Sequence, residues 1–524
     1  MKFEGNLNYS SVIRRWAREQ PEKEVIVYQD RRITYKEFNN RVSALAQGLL
    51  NLGVKKGDII GILLYNCSEF LEIIFAANRI GAVFLPLNFR LAADEISYIL
   101  NHAGANVLVT EGDFHETIDS IRDELNEIHH YITLSNELNS NWKSYHNMIS
   151  TNSGIHVPDA HIELSDLHRL MYTSGTTSRP KGVMISYENL YWKNIGHIWT
   201  FDIVPEDKTL ITGPMYHVGG LDLTTTGTLY RGGSVVIMRN FNPQKLLETI
   251  EAERPTNVWL APAMIIMLLQ KDNIRDYNLD SIRYIIAGGE RMPESLIKNV
   301  QDIFKNAWFC DAYGLTETVS GDTFVPRDKT FEKLGSVGIP CIHLDVRVVD
   351  HNGADVPPGE VGEIVLRGPK VTKGYWKNEE ATKNAIKNGW FHTGDMGRLD
   401  EDGYLYILDR KKDMIISGGE NIASLEVERV LYEHPSILEA AVVGIPHQKW
   451  GEVPKAFIVV KEGESITMDE IKNFCVNKLA KFKIPKQFEI IKELPRNPSG
   501  KVLKRILREK NQDQEETYEF HNHR

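Results

Sequence analysis

Apolar positions in the first hundred residues alternate between two spacings. Val42, Leu45, Ala46, Leu49 and Leu50 share one helical face, and after the Gly57-Asp58 turn the short unbroken run Ile59 to Leu64 reads as a buried strand. Ser68 stands where it can cap a second helix bearing Leu71, Ile74 and Phe75. Ala82 to Leu87 then predicts a strand, Ile96 to Leu100 a helix, and Val107 to Val109 a further strand. Strands alternating with helices imply an α/β fold, with helices on the faces of parallel-rich sheets. Between about Gly335 and Gly368 the period shortens to two: Leu344, Val346 and Val348 face one way, and Ile364 and Leu366 repeat the pattern between Gly and Pro turns. This predicts an antiparallel β insert. Past the charged cluster Asp409-Arg410-Lys411-Lys412-Asp413, the apolar runs Ala440 to Val443 and Ala456 to Val460 separate two helical stretches, enough for a small α+β unit. The expected organisation is a large N-terminal domain over residues 1–411, β-rich from about 320 to 408, then a small mobile domain over 412–508 and a flexible polar tail over 509–524.

Division into domains also follows from length, since 524 residues exceed the roughly 250 to 300 at which one core stops growing. The longest apolar run, Val258 to Leu269, contains Pro262 and is shorter than the roughly 18 residues a membrane span needs, so it reads as core. The N-terminal MKFEGNLNYS lacks the continuous apolar stretch of a secretory signal. Four scattered cysteines, Cys67, Cys310, Cys341 and Cys475, have no metal-ligand spacing and suit a reducing compartment. With 61 basic and 71 acidic residues the net charge is -10, and no basic stripe follows a phosphate backbone. These features point to a cytoplasmic protein that handles small molecules, with no transmembrane segment and no nucleic-acid partner.

The most informative segment is Tyr172-Thr173-Ser174-Gly175-Thr176-Thr177-Ser178-Arg179-Pro180-Lys181-Gly182, which follows the apolar Leu170 and Met171. Its small residues let backbone N–H groups approach an anion, while the hydroxyls and Lys181 add donors and positive charge for phosphate oxygens. It is not a Walker loop, because Pro180 and Gly182 flank the lysine where that motif has Gly and then Ser or Thr. A P-loop kinase is therefore disfavoured.

This loop resembles the signature of the adenylate-forming superfamily of acyl-CoA synthetases, peptide-synthetase adenylation domains and beetle luciferases, and the resemblance continues in order through nearly the whole chain. In Gly213-Pro214-Met215-Tyr216-His217-Val218-Gly219-Gly220 it implies that His217, Val218 and Gly219 border the acyl pocket, together with Gly288. Ala287-Gly288-Gly289-Glu290 resembles the turn that meets adenine and the acyl group. In Asp311-Ala312-Tyr313-Gly314-Leu315-Thr316-Glu317 the resemblance gives Tyr313 an adenine to stack on, Thr316 a phosphate and Glu317 a magnesium ion. The chemistry is coherent, since a flat ring suits a purine and a carboxylate is a hard oxygen ligand. Trp390-Phe391-His392-Thr393-Gly394-Asp395 resembles the segment whose Asp receives the ribose hydroxyls, and Arg410 matches the arginine reaching ribose and phosphate. Lys412 falls at the domain hinge, Gly418-Gly419 at the lining of the pantetheine tunnel, and Lys501, in Pro495-Arg496-Asn497-Pro498-Ser499-Gly500-Lys501, at the catalytic lysine of the first half-reaction. Three positions depart from the commoner pattern: Lys412 where many relatives carry Asp, Ser178 for Gly, and Ala423-Ser424 for an aromatic-proline pair.

The resemblance implies an enzyme that uses ATP and Mg²⁺ to convert a carboxylic acid to its acyl-AMP and then transfers the acyl group to CoA. His217, Thr316, Glu317 and Lys501 would be its catalytic residues. The small apolar neighbourhood of His217, Gly219, Gly220 and Leu221 favours a fatty or aryl acid. Alternatives are transfer to a separate carrier protein, oxidation as in luciferases, or an ATP-binding sensor without turnover; a homodimer is an open option.

Overall fold

The computed structural model describes residues 7–136, 141–173, 179–288, 294–418, 420–447, 449–476, 478–496 and 502–510. The early alternation builds a seven-stranded sheet in which Ile59–Leu63, Val83–Pro86 and Ala105–Thr110 run parallel. One edge of that sheet is an antiparallel hairpin of Leu167–Thr173 with Lys181–Ser186, in which Thr173 lies opposite Lys181. The hydroxyl-rich loop is thus the connection across a hairpin. A nine-stranded sheet holds Lys208–Ile211, Asn257–Leu260, Tyr284–Gly288 and Trp308–Tyr313 in parallel, with Thr323–Phe324 and Ile339–Pro340 added antiparallel at one edge.

The helix Ser68–Ile80 has every residue buried and packs in a core that draws on strands of both sheets, as an apolar helix of this kind must. Its N-cap position is Cys67, and Ser68 does not cap; the Ser68 hydroxyl donates to Glu69 Oε2 at 2.9 Å instead. Leu50 also departs from expectation. It is 40% exposed on the helix Tyr35–Asn51, because one residue beyond the buried Leu49 the helix has turned by about 100°. The apolar run from Val258 divides at its proline into a strand and the helix Pro262–Leu269, with Pro262 at the first helical position.

The antiparallel insert forms as expected. Asp345–Val349 pairs with Gly362–Arg367, setting Val346 against Leu366 and Val348 against Ile364, and Trp390–Leu399 and Leu405–Arg410 extend the same sheet. Beyond it, Ile415–Ser417, Glu420–Ile422, Ile437–His447 and Gly451–Val460 make a last antiparallel sheet, joined in parallel by Gln487–Ile490. The helices Ser424–Tyr432 and Met468–Val476 pack on it. Glu509 and Lys510, assigned to the tail from sequence, lie in a helical segment, where Lys510 pairs with Glu489 at 2.8 Å; residues 511–524 lie outside the described part. Among the described residues no helix is long and apolar enough to cross a membrane.

Candidate active site

The parallel strands Tyr284–Gly288 and Trp308–Tyr313 end side by side, with Gly288 opposite Ala312, and the carboxyl ends of such strands are where open α/β sheets bind ligands. Gly288 has no room for a side chain, since a Cβ there would meet the Ala312 carbonyl oxygen at 2.8 Å. The next residue along, Tyr313, sends its hydroxyl to Asp395 Oδ2 at 2.7 Å. Arg410 Nε meets the other oxygen, Oδ1, at 2.7 Å, and Asp395 and Arg410 face each other across neighbouring antiparallel strands. The Asp395 side chain is almost wholly buried. One bond on each oxygen leaves each with a lone pair for a further donor. Asp311 and Ala312 are buried in the strand beneath.

After Tyr313 and Gly314 the chain enters the short turn Thr316–Thr318 and then a left-handed run at Val319, Ser320 and Gly321, with φ of 58°, 71° and 61°. A β-branched residue pays a steric penalty at positive φ and needs outside support. That support is a buried ion pair. Thr318 donates to Asp322 Oδ2 at 2.6 Å, Lys370 meets Asp322 Oδ1 at 2.9 Å, and the same ammonium donates to the carbonyls of Ser320 (2.9 Å) and Gly321. The Glu317 carbonyl is further fixed by the Thr372 N–H at 2.7 Å.

So held, Glu317 accepts the Tyr375 hydroxyl on Oε1 at 2.8 Å, and the Lys181 ammonium sits 5.2 Å from the centroid of the same Tyr375 ring. Burial raises the Glu317 carboxyl above its ordinary value, against the pull of the Tyr375 bond. No lysine, arginine or histidine lies within ion-pair distance of it among the described residues. A buried carboxylate with Arg410 in electrostatic reach but no ion pair is a hard oxygen ligand of the kind that fits Mg²⁺, which takes one or two protein carboxylates and fills its shell with phosphate and water.

His217 lies at the start of the short helix Val218–Leu221, where its Nδ1 accepts the Gly219 N–H at 3.0 Å; in a neutral ring this puts the proton on Nε2. The imidazole stacks on Trp259 at 6.4 Å between centroids. A Cβ on Gly219 would come 2.8 Å from the Trp259 indole, and one on Gly220 would meet the Gly213 carbonyl oxygen at 2.7 Å. Gly219 therefore lets an indole fill the space next to His217, while Gly220 lets the helix start pack against the Gly213-Pro214 backbone. Trp259 pairs with Ile286 in the adjoining strand, so the ring pair lies beside the strand that ends at Gly288.

Lys181, Glu317, Tyr313, Asp395 and Arg410 are thus brought together, with Gly288 and Ala312 at the strand ends and Thr316 in the turn. Ser174, Gly175, Thr176, Thr177, Gly289, Glu290, Gly419 and Lys501 lie outside the described residues. Gly418 adopts φ 61° and donates its N–H to the Trp450 carbonyl at 2.7 Å, in the last sheet; Lys412 occupies the turn between Leu405–Arg410 and Ile415–Ser417. Sequence reasoning missed Tyr375, Trp259 and the Lys370–Asp322 pair. Trp259 was hidden in an apolar run, and the Gly374-Tyr375-Trp376 aromatic pair was the available signal for Tyr375.

The family model of the AMP-binding enzyme matches residues 13–376, and that of the AMP-binding enzyme C-terminal domain matches 426–501. The chain is 38% identical over 495 residues to a feruloyl-CoA synthase of Amycolatopsis sp, covering 94% of this chain and 97% of that one. Among solved structures it is similar to an anthranilate CoA ligase in complex with anthranoyl-AMP, with a TM-score of 0.90 at 26% identity over 96% of this chain and 97% of that one. It is also similar to the o-succinylbenzoate coenzyme A synthetase of Bacillus subtilis in complex with ATP and magnesium ion, with a TM-score of 0.82 at 31% identity over 95% and 98% of the two chains. Fold and sequence agree, and the chain belongs to the AMP-binding enzyme family of adenylate-forming ligases.

Proposed function

We propose that this chain is an AMP-forming aryl-CoA ligase, converting an aromatic acid, ATP and CoA to the aryl-CoA thioester, AMP and pyrophosphate. What supports the reading is the closeness of the Tyr313–Asp395–Arg410 cluster to the Lys181–Tyr375–Glu317 chain, Glu317 lying within electrostatic reach of both Arg410 and Asp395. In the first half-reaction the acid's carboxylate oxygen attacks the α-phosphorus, the new acyl–O–P bond forms, and the bond to pyrophosphate breaks. Tyr313 offers its ring face to adenine and Asp395 its remaining lone pairs to the ribose hydroxyls. Lys181 and the hydroxyls of the Thr173–Lys181 connection hold the outer phosphates, and Thr316 adds a donor. Mg²⁺ held by Glu317 would supply positive charge to spread the charge of the leaving pyrophosphate. Lys501 is the ammonium assigned to the developing charge between carboxylate and α-phosphate. For the second half-reaction the small domain turns about Lys412 and brings the Gly418-Gly419 segment to the acyl-AMP, where the CoA thiol attacks the acyl carbon and AMP leaves.

An aryl acid is favoured over a long fatty acid by the stacked His217 and Trp259 rings, which offer flat walls and fill depth that a chain would need. The three relatives described above are named for ferulate, anthranilate and o-succinylbenzoate, each an aromatic acid. Four buried unpaired cysteines suit the cytoplasm.

The test is a panel of aromatic and aliphatic acids with ATP, Mg²⁺ and CoA, following AMP, pyrophosphate and thioester. Equal amounts of aryl-CoA and AMP are expected. Absence of acid-dependent pyrophosphate exchange into ATP would leave a sensor, and acyl-AMP formation without CoA acylation would leave a carrier-protein ligase.

A further inference from the structure

Ser424 is one of the positions at which the sequence departs from the commoner pattern, and the reaction described above gives it nothing to do. It is fully buried at the first position of the helix Ser424–Tyr432. Its backbone N–H, one of the donors a helix start leaves unpaired, donates to Asp409 Oδ2 at 2.6 Å, and its hydroxyl donates to the same oxygen at 2.5 Å. Asp409 is 3% exposed and lies on the strand Leu405–Arg410, three residues before Lys412, whereas Ser424 lies after it. The contact therefore crosses the hinge.

We propose that Asp409 and Ser424 form a latch that holds one of the two domain orientations needed by the two half-reactions; the proposal rests on the ligase reading above. Two donors converging on one carboxylate oxygen define a narrow geometry, which a rotation of the small domain about Lys412 does not preserve. The latch is wired to both ends of the chemistry. Side chains alternate along a strand, so Asp409 on one face is the immediate neighbour of Arg410 on the other, and Arg410 holds Asp395 in the nucleotide cleft. On the small-domain side, Lys504 donates to the Ser424 hydroxyl and pairs with Glu428 at 2.8 Å, while Arg508 pairs with Asp413 at 2.6 Å. Lys504 follows Lys501 by three residues, so the segment that leads from Lys501 is anchored on the latch residue itself. Donors running from Lys504 through Ser424 to Asp409 polarise one another in a dry site. The aromatic-proline pair commoner at this point would have neither donor, which makes the latch a property of this chain.

The same comparison supplies the variant. Proline is tolerated at the first position of a helix, and Ala423, at φ -72° and ψ 118°, already has the extended backbone a residue before proline requires. Ser424→Pro removes both donors and keeps the helix, whereas Ser424→Ala removes only the hydroxyl. The two half-reactions are measured separately, as acid-dependent pyrophosphate exchange and as thioester formation from supplied aryl-AMP and CoA. In Ser424→Pro the two rates should move in opposite directions, changing their ratio at least about tenfold, with Ser424→Ala shifting it the same way by less. Asp409→Asn should follow Ser424→Pro in sign. Rates that stay unchanged, or that scale together, overturn the latch. A wild-type enzyme with no exchange at all overturns the ligase reading, and the latch with it.

Discussion

Asp395→Asn tests the nucleotide site at its centre. The substitution keeps the side-chain shape and removes the charge that Tyr313, Arg410 and the proposed ribose hydroxyls share. In the present geometry each carboxylate oxygen already accepts one bond, at 2.7 Å in both cases, so each has one further site for ribose. An amide retains one accepting oxygen and turns a donor toward the other hydroxyl. A hydrogen bond to a charged acceptor contributes about 1.5 to 3 kcal/mol, so loss of one such bond should raise the KM for ATP about 10- to 150-fold. The assay is pyrophosphate exchange at saturating acid, with ATP as the varied substrate. The fold should survive, because the Arg410 side chain is 36% exposed and water screens it once its partner is neutral. Tyr313→Phe is the matched control: it frees the site on Oδ2 without touching the charge, so the KM for ATP should change by less than about threefold unless the hydroxyl itself orients the carboxylate. An Asn variant that folds and keeps its KM for ATP within twofold of wild type, roughly the noise of such a comparison, would show that the ribose is bound elsewhere.

Glu317→Gln should raise the Mg²⁺ concentration for half-maximal rate by at least about tenfold, and because burial raises the Glu317 carboxyl, the wild-type requirement should itself climb as pH falls toward that value. Gly219→Ala puts a methyl group 2.8 Å from the Trp259 indole, so kcat/KM for the aryl acid should fall about 5- to 100-fold at unchanged KM for ATP, as overpacking of this kind predicts. Glu428, pushed by burial up to about 7, holds its proton in the folded protein over a range in which the unfolded chain, near 4.5, has released it. Its contribution to stability is therefore full below pH 4.5 and lost as pH rises toward 7; Glu428→Gln should remove that slope in urea midpoints taken from pH 5 to 8. Lys501→Ala should slow acyl-AMP formation about 10² to 10³-fold while sparing thioester formation from supplied acyl-AMP.

Much of the site was legible because each of its parts is a short continuous segment at a strand end. Gly288 is marked by the apolar run Tyr284 to Ile286 before it, whereas Ala312, Tyr313, Asp395 and Arg410 are read only from their resemblance to the family's segments. What stayed hidden depends on packing between distant segments. Nothing in linear spacing says that Tyr375 reaches Glu317 across 58 positions, or that Lys370 supports a loop 49 residues earlier. Trp259 looked like core because it is core on one side; only the missing side chain at Gly219 reveals its other face. Ser68 and Leu50 were misjudged for local reasons, the first because a cap requires the residue before the helix, the second because a step of about 100° past the buried Leu49 carries Leu50 off the buried face.

The cleft also explains why so much buried charge lies behind it. In the proposed reaction Thr316 donates a hydroxyl to phosphate and Glu317 offers its carboxylate to Mg²⁺, and the chain beyond them reverses direction through Val319, Ser320 and Gly321 in a region that side chains disfavour. Apolar packing alone has no means of gripping the carbonyls that such a reversal exposes. The Lys370 ammonium does, bonding to Ser320 and Gly321 while Asp322 balances its charge and in turn fixes Thr318. A hydrophobic pair of the same volume would match or exceed this ion pair in stability. It would not hold the loop in one shape, and a catalyst that relies on preorganised donors and ligands loses more from a mobile loop than it gains from a firmer core.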